Sequence, residues 1–331
     1  LLQNARRPLF IFGGGAVHLD FASDVMAQWG AASLTTYAGR GIIAPDDPLH
    51  FGAALARGSS ADVIGSADLV VVMGSELSEV DLWRDTLGHT CPLVRVDIDP
   101  QVLCDRHGAE HVILADCFAV LDKLSEVLED RLDTTWTAQE VVDARVKWRA
   151  EIAMERPGIV PVADALRAAL PADTMVFSDM TQFAYAAKEI WPMDRAAHWH
   201  HPYGFGTLGY ALPAAIGGKI GVGDQPVVAI AGDYGFQYSL QDLMVAVELE
   251  LSLPIIIWDN GKLGEIEDSM VQAQIAPNAV IQKNPDFVKL AQAYGAATAA
   301  PKSLDALQNA VRTALATNGP TLIHVTSDIC A

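Results

Sequence analysis

Short apolar runs that stop at a glycine or an aspartate recur along the chain, and longer segments of helical periodicity separate them. RPLFIF runs into Gly13-Gly14-Gly15, ADLVVVMG stops at Gly74, and PLVRVDIDP and HVILADC follow. Beyond residue 160 the same pattern returns in TMVFSD, PVVAIAGD, LPIIIWDN and PTLIHVTSD. Runs this short and this continuous are strands buried on both faces, which require helices on either side. The chain is therefore expected to be α/β, with doubly wound parallel sheets. Its 331 residues call for about two domains. Between Phe118 and Arg156 the segments FAVLDKLSEVLEDRL and TTWTAQEVVDARVKWRAEI are charged and helical, with no strand. The expected division is a Rossmann-like domain over 1–127, a helical linker over 128–157 and a second sheet domain over 158–331.

Composition removes several functions. Lys and Arg number 22 against 41 Asp and Glu, and a formal charge of −19 repels phosphate backbones, so nucleic acid is not an expected partner. No stretch approaches the ~20 apolar residues of a membrane span, so no membrane partner is expected either. Cys91, Cys104, Cys117 and Cys330 form no CxxC pair, which reads as reduced thiols in a cytoplasmic protein. The opening LLQNARRPLFIF has no apolar leader with a cleavage site, and it enters a strand without an initiating Met. The chain is thus expected to be a piece of something longer.

The chemistry concentrates in AGDYGFQYSLQDLMVAVELELSLPIIIWDNGKLGEI, Ala231 to Ile266. Asp233 follows one strand-like run, and Asp259-Asn260 follows the next, 27 residues on from Asp233 to Asn260. In an open parallel sheet ligands bind at the carboxyl ends of strands. If the two strands are neighbours, the side chains converge. Their oxygens suit a hard divalent cation such as Mg²⁺, which takes one or two carboxylates and completes its shell with phosphate and water. Gly232, Gly235, Gly261 and Gly264 allow backbone N–H groups to approach a phosphate, and a helix starting near Ser239 is expected to point at the same place. A plainer reading stands beside this one: Asp after a strand is a common helix cap, and Asn-Gly is a common turn.

These residues resemble the thiamine diphosphate enzymes of the acetohydroxyacid synthase and 2-oxo acid decarboxylase family. Their signature is Gly-Asp-Gly, some 25 residues, then Asn-Asn; here it reads Gly232-Asp233-Tyr234-Gly235 and Asp259-Asn260. Tyr234 stands where the family has a small residue, and Asp259 where it has the first Asn. The resemblance implies thiamine diphosphate as cofactor and Mg²⁺ held by Asp233, Asn260 and the carbonyl of Lys262, with Leu263 and Gly264 beside them. GFGTLGYALPAAIGG, Gly204 to Gly218, resembles the loop and helix that hold the aminopyrimidine, through the backbone of Gly206 and Leu208 and with the Leu208 side chain beneath the cofactor. Thr181 and Gln182 match the loop that approaches the diphosphate. GRGIIAPDDPLHFG and VDIDP resemble the family's middle domain. The family's activating glutamate lies on a first domain that this sequence does not contain, so no catalytic residue is assigned here and the piece alone is expected to be inactive. The family also implies a homodimer or homotetramer, with LPAAIGGKIG near the interface.

The segment GKLGEIEDSM points to the substrate. By resemblance it begins a helix lining the substrate cavity, and Glu265 and Asp268 share one face of it. A carboxylate pair there attracts a cationic tail on a 2-oxo acid. The GEIED run also resembles the decarboxylases of 5-guanidino-2-oxopentanoate. Against this, acidic residues in a first turn stabilise a helix by roughly 0.3–1 kcal/mol with no substrate involved. Alternative functions are an acetolactate synthase-type carboligase or a non-catalytic binding module. HWHH, His198 to His201, offers His200 or His201 to the same cavity. GGGAV at Gly13 lacks the GxGxxG spacing; some relatives bind FAD or ADP in this domain, but a tight strand-to-helix turn is the favoured reading of these glycines.

Overall fold

The computed structural model describes residues 1–128, 132–281 and 283–330; residues 129–131 of the expected linker lie outside these. The chain divides into two compact units, one of Leu1–Glu151 with Pro192–Ala197, the other of Ile152–Trp191 with His198–Ala331. Each is a parallel sheet with helices packed against it, which is the expected α/β class.

In the first unit β1 (Pro8–Phe12), β2 (Ala32–Thr35), β3 (Leu69–Met73), β4 (Leu93–Asp97) and β5 (His111–Leu114) pair in the order β2-β1-β3-β4-β5. Successive side chains of a strand point to opposite faces, so an all-apolar strand feeds two cores. Phe10, Phe12, Val71, Met73 and Val96 pack on one side with Met26 and Trp29. Leu9, Ile11, Val70, Val72 and Leu93 pack on the other with Trp136 and Trp148. The buried indoles keep their N–H groups satisfied: Trp29 Nε1 donates to Leu128 O (2.8 Å) and Trp136 Nε1 to Pro8 O (2.9 Å). Arg95, in the middle of β4, is buried and donates to Asp105 (2.6 Å) and to the Ser75 carbonyl (2.6 Å). The three glycines after β1 form a tight turn: Gly15 N donates to Gly74 O at 2.9 Å, and the side-chain position of Gly13 is filled by Gly74 and Ser75.

The second unit contains β6 (Met175–Ser178), β7 (Trp199–His200), β8 (Val227–Gly232), β9 (Leu253–Asp259), β10 (Ala297–Ala299) and β11 (Pro320–Thr326), in the order β10-β11-β9-β8-β6-β7. From β6 the chain passes to β7 on one side and then to β8 on the other, so the strand order reverses between β6 and β8. The register sets Ser178 beside Ile230 and Gly232 beside Trp258. Asp179, Asp233 and Asp259-Asn260 therefore emerge at one edge, at the place where open α/β sheets bind ligands.

The helix expected near Ser239 begins six residues earlier: Asp233 is itself the first residue of the helix Asp233–Tyr238, which leads through a short 3₁₀ turn, Leu240–Asp242, into the helix Leu243–Glu248. Gly232 ends β8 in extended geometry, and the chain turns straight into the helix with no intervening loop. Among the described residues no helix is long and apolar enough to cross a membrane.

Candidate cofactor and active site

A cavity of about 180 Å³ opens over the carboxyl ends of β6, β8 and β9. Thr181, Gln182, Gly206, Leu208, Gly232, Asp233, Tyr234, Gly235, Asn260, Lys262, Leu263, Gly264 and Glu265 all line it. Four separate stretches of sequence thus meet at one place. Asp268 does not line it; that residue is exposed and accepts a long bond from Gln182 Nε2 at 3.4 Å. Met180, Tyr185 and Ile266 line the cavity as well, although no motif pointed to them.

Asp233 and Asn260 directly follow the adjacent strands β8 and β9, as convergence requires. Asn260 Nδ2 donates to Gln182 Oε1 at 2.9 Å, which fixes which end of the amide is oxygen; Lys262 N donates to that oxygen, Oδ1, at 3.2 Å. An amide oxygen carries two lone pairs, so one remains after this bond. The Lys262 side chain reaches back to Glu267 Oε2 at 2.6 Å. Burial pushes the Asp233 carboxyl up to about 6; a bond from Asn284 opposes the rise, and the neighbouring charge of Asp259 adds to it. A buried carboxylate that resists ionisation is one that a cation stabilises. Carboxylate, amide and carbonyl oxygens are the donor set of a hard ion. The residues present therefore fit Mg²⁺.

Asp259, in place of the family's first Asn, has partners of its own. His324 Nε2 on β11 lies 2.8 Å from its Oδ2, and Gly261 N donates to its Oδ1 at 3.0 Å. Burial pushes this carboxyl up, but the bond to His324 and its charge, with those from Gly261 and Asn284, hold it below the usual range. Tyr234, the other departure, is buried and directs its hydroxyl to the Val280 carbonyl at 3.3 Å.

Asp179 is the functional residue that motif reading missed. It follows β6 as Asp233 follows β8, and that parallel was the available signal. Its buried carboxylate accepts Ala211 N (2.7 Å) and Gly209 N (3.3 Å), and so anchors the loop that carries Gly206 and Leu208. The same carboxylate fills the side-chain position of Gly235. The Gln182 amide likewise occupies that of Gly264, where a Cβ would meet its Cδ at 2.6 Å. These two glycines are thus required by the packing of neighbouring side chains.

Glu265 is not a bare carboxylate. Arg156 Nε and Nη2 donate to its Oε1 and Oε2 at 3.0 and 3.3 Å. Burial lowers the Arg156 pKa, but Glu265, and then Glu189 and Glu155, more than restore it, so this guanidinium sits in an acidic neighbourhood. Of the three histidines in HWHH, His198 meets Gln225 at 3.1 Å, His200 stacks on Phe177 and His201 Nδ1 meets Ser178 Oγ at 2.9 Å. Neither His200 nor His201 lines the cavity, because each packs against β6 residues on its own side of the sheet edge.

Burial of Asp179 gives a pH signature. It pushes the carboxyl up to about 6, against the pull of its backbone N–H partners, from an ordinary value of 3.8. Between these values the native state holds a proton that the unfolded state has lost, so stability falls as pH rises from about 4 to about 6, by roughly 2–3 kcal/mol. In urea unfolding at pH 4 and pH 6, Asp179→Asn should lose this part of the slope. A variant with the wild-type slope would show that Asp179 titrates normally.

Residues 1–124 match the thiamine pyrophosphate enzyme central domain, and residues 179–325 the thiamine pyrophosphate enzyme C-terminal TPP binding domain. Over 327 residues the chain is 38% identical to a Pseudomonas aeruginosa protein named "Probable 2-ketoarginine decarboxylase AruI", covering 98% of this chain and 58% of that one. It is 26% identical to the acetolactate synthase isozyme 2 large subunit of Escherichia coli, covering 99% of this chain and 61% of that one. In fold it is similar to the benzoylformate decarboxylase of Polynucleobacter necessarius, with a TM-score of 0.79 at 20% identity over 98% of this chain and 62% of that one. The chain thus spans about three fifths of the length of these relatives. The cavity lies within the matched C-terminal domain, and the chain belongs to the thiamine pyrophosphate enzymes, of which it carries the central and C-terminal domains.

Proposed function

We propose that the whole protein is a thiamine diphosphate- and Mg²⁺-dependent decarboxylase of a 2-oxo acid, with 5-guanidino-2-oxopentanoate as the substrate. The observation that carries the cofactor half is the meeting of Asp233, Asn260 and the Lys262 loop at the switch point of the second sheet. In this reading Asp233, Asn260 and the Lys262 carbonyl hold Mg²⁺. Gly232, Tyr234, Gly235, Leu263 and Gly264, with Thr181 and Gln182, lie along the diphosphate. Gly206 and Leu208 face the aminopyrimidine on the loop that Asp179 anchors. Thiamine diphosphate, when bound, supplies the electron sink for loss of carbon dioxide. The residue that activates it is proposed to lie outside these 331 residues, which by themselves bind without turnover. Replacing Asp233 with Ala in the full-length protein removes the carboxylate of the donor set. Calorimetry should then show Mg²⁺-dependent thiamine diphosphate affinity falling at least 10-fold; unchanged affinity would overturn the metal assignment.

Glu265 carries the substrate half. Its two oxygens already bind a guanidinium side by side, that of Arg156, so the carboxylate is oriented for this shape. In this reading the guanidinium of the substrate meets Glu265 from the cavity, which that residue lines. Similarity to the Pseudomonas aeruginosa relative supports the same substrate. Asp268, exposed near Gln182, adds negative charge at the rim. Glu265→Gln should lower kcat/KM for 5-guanidino-2-oxopentanoate roughly 10- to 100-fold, the equivalent of ~1.5–3 kcal/mol for a hydrogen bond to a charged group, and leave pyruvate turnover within a few-fold. Equal loss on both, or a wild type that prefers pyruvate, would return the protein to an acetolactate synthase-type reaction.

The protein is further proposed to be cytoplasmic and to self-associate as a dimer or tetramer. The helix Ala211–Val222 supports self-association: Ile220 is exposed, and nothing packs over Gly217 and Gly221 beside it, which leaves a flat strip for a second copy. Sedimentation velocity on the full-length protein should show no monomer at micromolar concentration, and a monomer alone would refute the strip as an interface.

A further inference from the structure

The side-chain amide of Asn284 donates twice, to Asp233 Oδ2 at 2.6 Å and to Asp259 Oδ1 at 2.9 Å. Its oxygen accepts Gln237 Nε2 at 3.3 Å. One NH₂ group therefore sits between two carboxylates that follow neighbouring strands. The chain just before it is tied to the same loops. Leu263 N and Tyr234 Oη both donate to Val280 O, at 2.9 and 3.3 Å, and Ile281 makes an antiparallel bridge with Lys262. Tyr234 and Lys262 are themselves neighbours of Asp233 and Asn260 in sequence, so Asn284 is held relative to both.

Two carboxylates this close repel, and burial strengthens the repulsion. A neutral amide satisfies one oxygen of each and brings no charge of its own. A lysine there would neutralise the site and compete with a cation; a third carboxylate would add to the repulsion. Asn284 does neither. It leaves the pair anionic and restricts how Asp233 is turned. The second carboxylate is in turn held on its far side by His324.

We propose that Asn284 is a positioning residue for the cation site: its amide ties Asp233 to Asp259 and sets the orientation in which Asp233 meets the ion. This rests on Asp233, Asn260 and Lys262 being the Mg²⁺ donors. The test uses the full-length protein and reads binding, with no turnover required. Thiamine diphosphate is titrated by calorimetry across a range of Mg²⁺ concentrations for wild type, Asn284→Ala, Asp259→Asn and the double variant. Circular dichroism checks the fold of each; Asn284→Ser replaces Asn284→Ala, with the same expected direction, if the alanine variant does not fold. Asn284→Ala should raise the Mg²⁺ midpoint roughly 10- to 100-fold, the usual effect of losing a partner that orients a metal ligand. In the Asp259→Asn background the same substitution should shift the midpoint less, because the amide then joins Asp233 to no second charge. A role in folding alone would not produce this dependence on residue 259. An unchanged midpoint in Asn284→Ala, or an equal shift in both backgrounds, would overturn the proposal while leaving the metal assignment standing. A wild type whose cofactor binding ignores Mg²⁺ would overturn both.

Discussion

Parallel pairing of β9, β8 and β6 places three carboxylates at one edge of the second sheet, and the site is built around making that arrangement tolerable. Buried carboxylates that face one another cost free energy unless each finds donors. Asp233 and Asp259 share one donor, the Asn284 amide, and the other partners differ. Asp179 takes backbone N–H groups from the start of the helix Ala211–Val222. Asp259 takes Gly261 N and lies against His324 on the next strand. Asp233 accepts from Asn284, and its carboxyl stays raised to about 6. Asp179 is raised as far, so what sets Asp233 apart is the amide oxygen, Asn260 Oδ1, that follows the adjacent strand.

This accounts for the two departures from the family signature. An Asp in place of the first Asn adds a carboxylate near Asp233, and His324 and Asn284 are its side-chain partners. A Tyr in place of a small residue fills the space under the Val280 carbonyl and pins the chain that leads to Asn284. Tyr234 thus meets the Val280 carbonyl, and Asp259 meets the side chain of Asn284.

The cavity wall shows the same economy of charge. Of the acidic turn Glu265-Ile266-Glu267-Asp268, Glu267 pairs with Lys262, Glu265 pairs with Arg156, and Asp268 stands in solvent. Helical spacing put Glu265 and Asp268 on one face, but the cavity reaches only the first turn, so the two are not equivalent. What distinguishes Glu265 is a partner 109 residues away.

The parts of this protein that were legible in the sequence are local. An apolar run closed by Gly or Asp marks a buried strand and its carboxyl end, because burial on both faces leaves no room for polar alternation. That is enough to read the α/β class and the positions of Asp233 and Asn260; the loops at Thr181 and Gly206 came from the resemblance to the family. The start of the helix at Asp233 was misplaced to Ser239, since a strand that turns directly into a helix leaves no loop signal between them. Asn284, His324, Arg156 and the role of Asp179 were not legible, because each acts on a partner 25 to 109 residues distant. Sequence alone determined which groups are available at the ends of the strands. Only the tertiary structure decided which of them share a hydrogen bond, because strand order and register set those distances, and the charge balance of the site follows from the distances.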